Sequence, residues 1–341
     1  MAMNEKRAAI LGGGIGGLTA ATTLIRRGWA VEVYERAPSL PRTGTALGMW
    51  PAALNTLAEC GLDRAVRERG ALQDSGTLMS WDGRILGRIT DLRRPAVLLS
   101  RPVLLELLAG DLPDGTVRFG TPAPAVSELD HDVVIAADGI GSAARDTLFG
   151  PRYRPVHTGY AAWRGSVPGA TSSMSETWGP GALFGITPRD GDLTNWFAAV
   201  RAPEHSPGDV DVLRDRFGHW HPAVRDILDR LDPADMLYHD LYESPPLPSY
   251  VRDNTALIGD AAHAMAPNLG RGACEAMVDA AVLAALLSEH PVSDALRRYD
   301  RVRRRHTRRL VRASRLVAGV ATSTRFESLR NTLLGAAFRL A

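Results

Sequence analysis

The segment Gly12-Gly13-Gly14-Ile15-Gly16-Gly17 constrains this chain more than any other. It stands between the apolar run Ala8-Ala9-Ile10-Leu11 and the helical pattern from Leu18 to Arg27. A second apolar run, Ala30-Val31-Glu32-Val33-Tyr34, follows and ends at Glu35. Strand, glycine loop, helix and strand in that order predict a βαβ unit. Gly12 permits the tight turn, Gly14 the close approach of backbone to a pyrophosphate, and Gly17 the close packing of helix on strand. The diphosphate then rests on the helix N-terminus, so Ile15 and Gly16 also become binding candidates. A carboxylate about 20 residues on is needed to accept hydrogen bonds from a ribose, and Glu35, with Arg36 beside it, stands in that place.

The 341 residues exceed one ordinary domain, and a chain 45% hydrophobic and 23% charged has the composition of a globular protein. A formal net charge of +2 does not call for a polyanionic partner, so nucleic acid is not implied. The two cysteines, Cys60 and Cys274, match no CxxC spacing, which points to a reduced, cytoplasmic protein. No apolar run approaches the roughly 18 residues of a membrane span. The nine histidines show no metal-ligand spacing, and no metal is expected.

Further along, a helical pattern begins at Ser100-Arg101-Pro102 and carries Val103, Leu104, Leu107 and Leu108. Asp132 to Ala137 reads as a short buried strand that stops at Asp138-Gly139. Between Thr158 and Arg201 the chain turns aromatic and turn-rich, as antiparallel strands do, and Val212 to Leu231 is polar and helical. Thr255 to Ile258 then returns as a strand, and Ala273 to Ser288 is an Ala/Leu-rich helix. The expected architecture is α/β, a Rossmann-type nucleotide domain interleaved with a β-sheet substrate domain and followed by C-terminal helices. Residues 1–72, 97–157 and 251–290 are assigned to the first, 73–96 and 158–250 to the second, and 291–341 to the helices. The arginine-rich stretch from Arg297 to Arg315 reads as a solvated cationic helix. The tail from Phe326 to Leu340 reads as either a packing helix or a dimer contact, leaving monomer and homodimer both open.

Three motifs, the glycine loop, Asp138-Gly139 within D-V-V-I-A-A-D-G-I-G-S-A-A-R, and Gly259-Asp260 within G-D-A-A-H, resemble the signatures of the group A FAD monooxygenases, the para-hydroxybenzoate-hydroxylase-like aromatic hydroxylases. The resemblance runs from about Arg7 to about Arg312. It implies bound FAD, NADH or NADPH as a transient reductant, and O2. The activity implied is hydroxylation or epoxidation of a small aromatic or polyunsaturated molecule through a flavin C4a-hydroperoxide. It further implies that Asp260 binds the ribityl hydroxyls and that Pro267, Leu269 and Gly270 run along the isoalloxazine ring. Gly272 and Ala273 would start a helix whose amides face the ring's pyrimidine side, where negative charge appears on reduction. Arg101 corresponds to an arginine on the FAD chain, for which a forked guanidinium is suited. Asp138 and Gly139 fall near the pyrophosphate, or form a plain strand-end turn. Gly44 and Gly48, in the loop from Thr43 to Pro51, let backbone pass close to the ring edge. Only Phe119 to His131 stands where relatives carry an extra β-hairpin, which leaves backbone near Val126 for the adenine side. Arg271 replaces a common glutamine.

For the substrate pocket the reading selects Arg164, Trp178, Phe184 and Trp196, with Arg164 and Pro267 positioning the reaction at the flavin face; Trp163 is assigned to the core. His263, inside the third motif, reads as a helix-start or packing residue, with a proton relay as the alternative. A halogenase is disfavoured, since W-x-W-x-I-P is missing and Lys6 is the only lysine. A flavin reductase or dehydrogenase, and a non-redox cyclase or binding module on the same fold, stay as alternatives that a visible spectrum and oxygen dependence separate.

Overall fold

A computed structural model describes residues 6–340, apart from 91, 173 and 326. Strand β1 (Arg7–Leu11) passes through the glycine loop into helix α1 (Ile15–Ile25) and returns as β2 (Ala30–Tyr34), parallel to β1. Two glycines are obligatory here. Gly12 has φ +106°, and a Cβ on Gly17 would lie 1.9 Å from the Gly12 carbonyl oxygen, so any side chain would push α1 off the sheet.

Strand β3 (Ala46–Met49), helices α2 (Pro51–Glu59) and α3 (Asp63–Arg69) and strand β4 (Ala71–Gln73) come next. The hairpin β5 (Gly76–Ser80) and β6 (Ile85–Ile89) then leaves the nucleotide lobe, and β7 (Ala96–Ser100) brings the chain back between β3 and β4. Helix α4 (Arg101–Gly110), the two-residue edge strand β8 (Val117–Arg118) and the buried β9 (Val133–Ala136) follow. Between β8 and β9 lies only a 3-10 turn at Val126–Glu128, the shortened connection visible in the sequence.

After α5 (Ala143–Phe149) the chain builds a second sheet from β10 (Val156–Pro168), β11 (Met174–Gly179), β12 (Ala182–Arg189) and β13 (Leu193–Arg201). The expected helical stretch is two helices, α6 (Val210–Phe217) and α7 (Pro222–Arg230), broken by Gly218 to His221 ahead of Pro222. Strand β14 (Leu237–Glu243) completes a seven-stranded sheet ordered β14-β10-β13-β12-β11-β5-β6. Strands β15 (Val251–Arg252) and β16 (Thr255–Leu257) rejoin the first sheet, ordered β15-β16-β9-β1-β2-β8.

Four helices close the chain: α8 (Asp260–His263), α9 (Gly272–Glu289), α10 (Val292–Ala321) and α11 (Glu327–Leu340). Helix α9 buries Met277, Ala280, Leu283, Ala284 and Leu287 against the nucleotide lobe. Helix α10 reaches both lobes. Its Ser314 hydroxyl donates to the Ala266 carbonyl, Ala321 packs among residues of the second sheet, and Thr322, just beyond its end, pairs with the Tyr160 hydroxyl. Helix α11 packs on β6, with the Phe338 ring lying where a Gly87 side chain would project. Of the tail, Phe326 lies outside the described residues; α11 packs within this chain, while its Leu329 and Leu333 stay exposed.

Candidate active site

The glycine loop opens on free space. Beyond Gly14 and its two chain neighbours no atom lies within 4 Å of where a Gly14 Cβ would sit, and α1 has no side chain capping its N-terminus, so its first amides are free to face an anion. Glu35 closes one end, accepting from the amides of Gly13 (2.7 Å) and Ala37 (2.8 Å) and keeping lone pairs for a further donor. At the other end Asp138 accepts from the Ala144 amide through Oδ2, while its buried Oδ1 has no partner. An orphaned buried oxygen beside an anion cradle is what a bound nucleotide's hydroxyl or an ordered water would satisfy. The residues thus fit a dinucleotide. Gly139 has φ +78° and turns the chain away from the loop; Arg36 is exposed, and Val126 is half-buried in the shortened connection.

The second and third motifs are held together by Arg145. Its buried guanidinium donates to the carbonyls of Ile140 (2.6 Å), Ala261 (3.2 Å) and Asp260 (3.4 Å). Asp260 opens to the cleft, where the surrounding protein withdraws solvent and raises its carboxyl above the ordinary value, against the pull of His263, Arg101 and Arg145. A Cβ on Gly272 would lie 3.9 Å from the Asp260 carboxylate, so the start of α9 and the third motif adjoin. Arg101 begins α4 and is exposed. No acid comes within ion-pair distance of it among the described residues, which leaves its charge for a ligand.

The loop around Gly48 is tied on three sides. Trp50 Nε1 donates to the Gly270 carbonyl (3.2 Å), Cys274 Sγ donates to the Gly48 carbonyl (3.1 Å), and the Ala46 amide donates to Asn195 Oδ1 of β13 (2.9 Å). Pro267 and Gly270 are exposed, Leu269, Gly272 and Ala273 half-buried, and Gly270 is left-handed at φ +58°. These residues border the same cleft from the α9 side. The Asn195 bond, with Asp190 accepting from the Ser100 amide and hydroxyl, seats the second sheet on the nucleotide lobe.

Side chains alternate between the faces of that sheet, and the register divides the four pocket candidates. Phe184 (0% exposed) and Trp196 (1%) lie on the outer face, stacked on each other at 5.8 Å and packed with Trp163, Phe217 and Trp220 beneath α6 and α7. Their assignment to the substrate pocket is corrected: they are core. Arg164 and Trp178 occupy the opposite face, the one that carries Asn195. Cross-strand pairs set Arg164 beside Phe197, Phe197 beside Gly185 and Gly185 beside Glu176 in one row. Arg164 has no acid within ion-pair distance among the described residues, and its pKa is lowered by desolvation and then by Arg101.

Beneath the third motif lies a cluster that sequence reading missed. His263 Nε2 meets Asp279 Oδ2 at 2.6 Å, Arg303 Nε donates to Asp279 Oδ1 (2.5 Å), and Arg303 Nη2 donates to Glu275 Oε2 (2.6 Å). Asp279 also accepts from the Gly259 amide at 2.8 Å. Burial opposes charge on both His263 and Asp279, yet each overcomes it in the other's field. The histidine's pKa is raised by Asp279, and the carboxyl's is lowered by His263 and Arg303. His263 is thus a packing and anchoring residue, and Arg303 departs from the solvated helix expected of its arginine-rich neighbours. Spacing could not reveal the cluster, because 24 residues separate Arg303 from Asp279.

Fold and site define a flavoprotein of the nucleotide-lobe and sheet-lobe type. The FAD binding domain family matches residues 5–112 and 245–314. The chain is 32% identical to aurachin C monooxygenase/isomerase of Stigmatella aurantiaca, over 91% of this chain and 86% of that protein. It is 30% identical to 3-amino-4-hydroxybenzoate 2-monooxygenase of Streptomyces cremeus, over 97% and 93%. Klebsiella pneumoniae HpxO complexed with FAD and uric acid shares the fold, with TM-score 0.88 over 98% of this chain and 93% of that one at 24% identity. The chain belongs to the family of FAD-dependent monooxygenases. It is an FAD enzyme, with NAD(P)H as the reductant typical of that family.

Proposed function

We propose that this monooxygenase hydroxylates a planar aromatic small molecule held between the isoalloxazine and the Asn195-bearing face of the second sheet. The carrying observation is the unpaired Arg164 on that face, one strand from the Phe197 ring. The nucleotide lobe docks against the same face through Asn195, and against the adjoining β12–β13 turn through Asp190. Bound FAD supplies hydride acceptance and dioxygen activation, which no amino acid provides. The protein's part is to hold it: the glycine loop, Glu35, Asp138 and Gly139 at the diphosphate and ribose, Arg101 along the chain, Asp260 at the ribityl. The stretch from Pro267 to Ala273 lies beside the ring.

Arg164 then orients an oxygen-bearing substrate edge, and Trp178 and Phe197 exclude water from the reacting side. One relative is a 3-amino-4-hydroxybenzoate 2-monooxygenase, and its aromatic substrate supports ring hydroxylation as the reading for this chain. We further infer a cytoplasmic enzyme, monomeric or homodimeric; among the described residues no helix is long and apolar enough to cross a membrane. The test is a screen of hydroxylated aromatics and polyenes for accelerated NAD(P)H oxidation, run under 18O2. One labelled atom on a ring carbon supports the reading. An epoxide formed only from alkenes, or turnover that proceeds equally well without oxygen, overturns it. Arg164→Ala is expected to retain FAD while diverting reducing equivalents to peroxide.

A further inference from the structure

Glu176 sits on β11 in the same row as Arg164 and on the same face, and the motif reading did not select it. Its Oε1 accepts from the indole Nε1 of Trp178 at 2.5 Å, the two side chains being neighbours at i and i+2 on one face. No cation lies within ion-pair distance of it among the described residues. Strands β12 and β13 separate it from Arg164. At the usual spacing of neighbouring strands, the two Cα positions are therefore about 14 Å apart, too far for acid and guanidinium to neutralise each other.

Between them lies an aromatic platform. The Phe197 ring leans over Gly185, and a Cβ there would be 2.1 Å from it, so the glycine is what lets the ring lie flat across the row. Glu176, Phe197 and Arg164 of the row are only half-buried, as is Trp178 one step along. Trp178 and Phe197 pack on the small apolar cluster around Ala321 of α10, and the Arg330 guanidinium of α11 lies 5.8 Å over the Trp178 ring, so the row stands at the margin of that cluster and is not sealed within it. An acid and a cation withdrawn from bulk water without partners are costly to a fold, and desolvation, opposed by the indole bond, raises the Glu176 pKa.

We infer that Glu176 is a specificity-determining residue of the substrate recess. With Arg164 it selects a one- or two-ring planar aromatic whose opposite edges carry an O–H or N–H donor and an anionic oxygen. The donor edge meets Glu176 Oε2, the anionic edge meets the guanidinium, and the ring lies on Phe197. This rests on the reading above that the substrate occupies this face.

The test uses the purified holoenzyme and three probes: 6-hydroxy-2-naphthoate, which carries both groups on opposite edges, 6-methoxy-2-naphthoate, which lacks the donor, and 2-naphthol, which lacks the anion. Dissociation constants are read from the perturbation of the flavin's visible spectrum. The hydroxy acid is expected to bind at least about tenfold more tightly than either truncated probe, as loss of one charge-assisted hydrogen bond requires. Glu176→Gln keeps an oxygen for the Trp178 indole but presents an amide N–H2 outward. It is expected to reduce or reverse the preference for hydroxy over methoxy, at unchanged FAD content. Arg164→Met is expected to weaken both acids alike and leave 2-naphthol unaffected. Wild-type protein that binds none of the probes, or does not discriminate among them, overturns the inference. So does a Glu176→Gln variant with the wild-type hydroxy-to-methoxy ratio. Failure of the monooxygenase reading appears elsewhere, as missing oxygen incorporation, and leaves these binding ratios readable.

Discussion

Two of the molecule's sets of buried or half-buried charges are treated differently. Under the third motif, His263, Asp279, Arg303 and Glu275 are all paired, with bonds of 2.5–2.6 Å, and Asp279 also anchors the Gly259 amide. On the inner face of the second sheet, Arg164 and Glu176 face a recess with neither partnered by an opposite charge. A closed network fixes a backbone, whereas charges withdrawn from water and left unmatched are held for something that arrives later. The difference separates architecture from recognition without reference to any relative.

The sharpest way to break this distinction is to damage the paired cluster. Asp279→Asn leaves Arg303 and His263 facing a neutral amide, and breaking a buried pair costs about 3–5 kcal/mol. Urea unfolding of the FAD-loaded protein is expected to show a loss of that order. A loss below about 1 kcal/mol would mean the network is ornamental.

Acidity probes the same cluster with a smaller effect. The folded-state pKa of His263 is raised above its ordinary 6.5, so its contribution is complete below that value and fades as pH rises through the folded pKa. Asp279 is held below its ordinary 3.8, so its contribution is complete above that value and is lost as pH falls through the folded pKa. The pair therefore stabilises most between about pH 4 and 6.5. Unfolding free energy followed from pH 5 to 9 is expected to decline on the alkaline side in wild type and to lose that part of the slope in His263→Gln.

The unpaired set predicts the smallest stability change. Arg164→Leu removes a desolvated charge with no partner, so its unfolding free energy is expected to stay within about 1 kcal/mol of wild type, or to rise, while affinity for an anionic aromatic falls. A large stability loss with unchanged affinity would reassign Arg164 to the framework.

Legibility from the sequence followed the range over which each feature acts. The glycine loop and Glu35 are local, and their spacing was enough to group them; Asp138-Gly139 and Asp260 were added by the likeness of their motifs to those of the family. The shortened connection near Val126 could be seen as a missing stretch. Phe184 and Trp196 were misplaced because alternation along a strand says only that neighbours point to opposite faces. Which face meets the nucleotide lobe depends on where α6 and α7 pack. Glu176 carried a usable signal, an acid two residues before a tryptophan within an aromatic strand, which places both on one face. Arg303 carried none, since its partners lie one helix earlier in the chain.

Helix α10 has 30 residues and a length of about 45 Å. In its first half it grips the cofactor lobe through Arg303, in its second half it holds Ala266 through Ser314, and its far end joins the second sheet through Ala321 and Thr322. A rod fastened at three points transmits torque. Neither lobe can rotate against the other without bending the rod or releasing a fastening, so the hydrophobic clusters of the two lobes are expected to melt as one cooperative unit, in a single calorimetric transition.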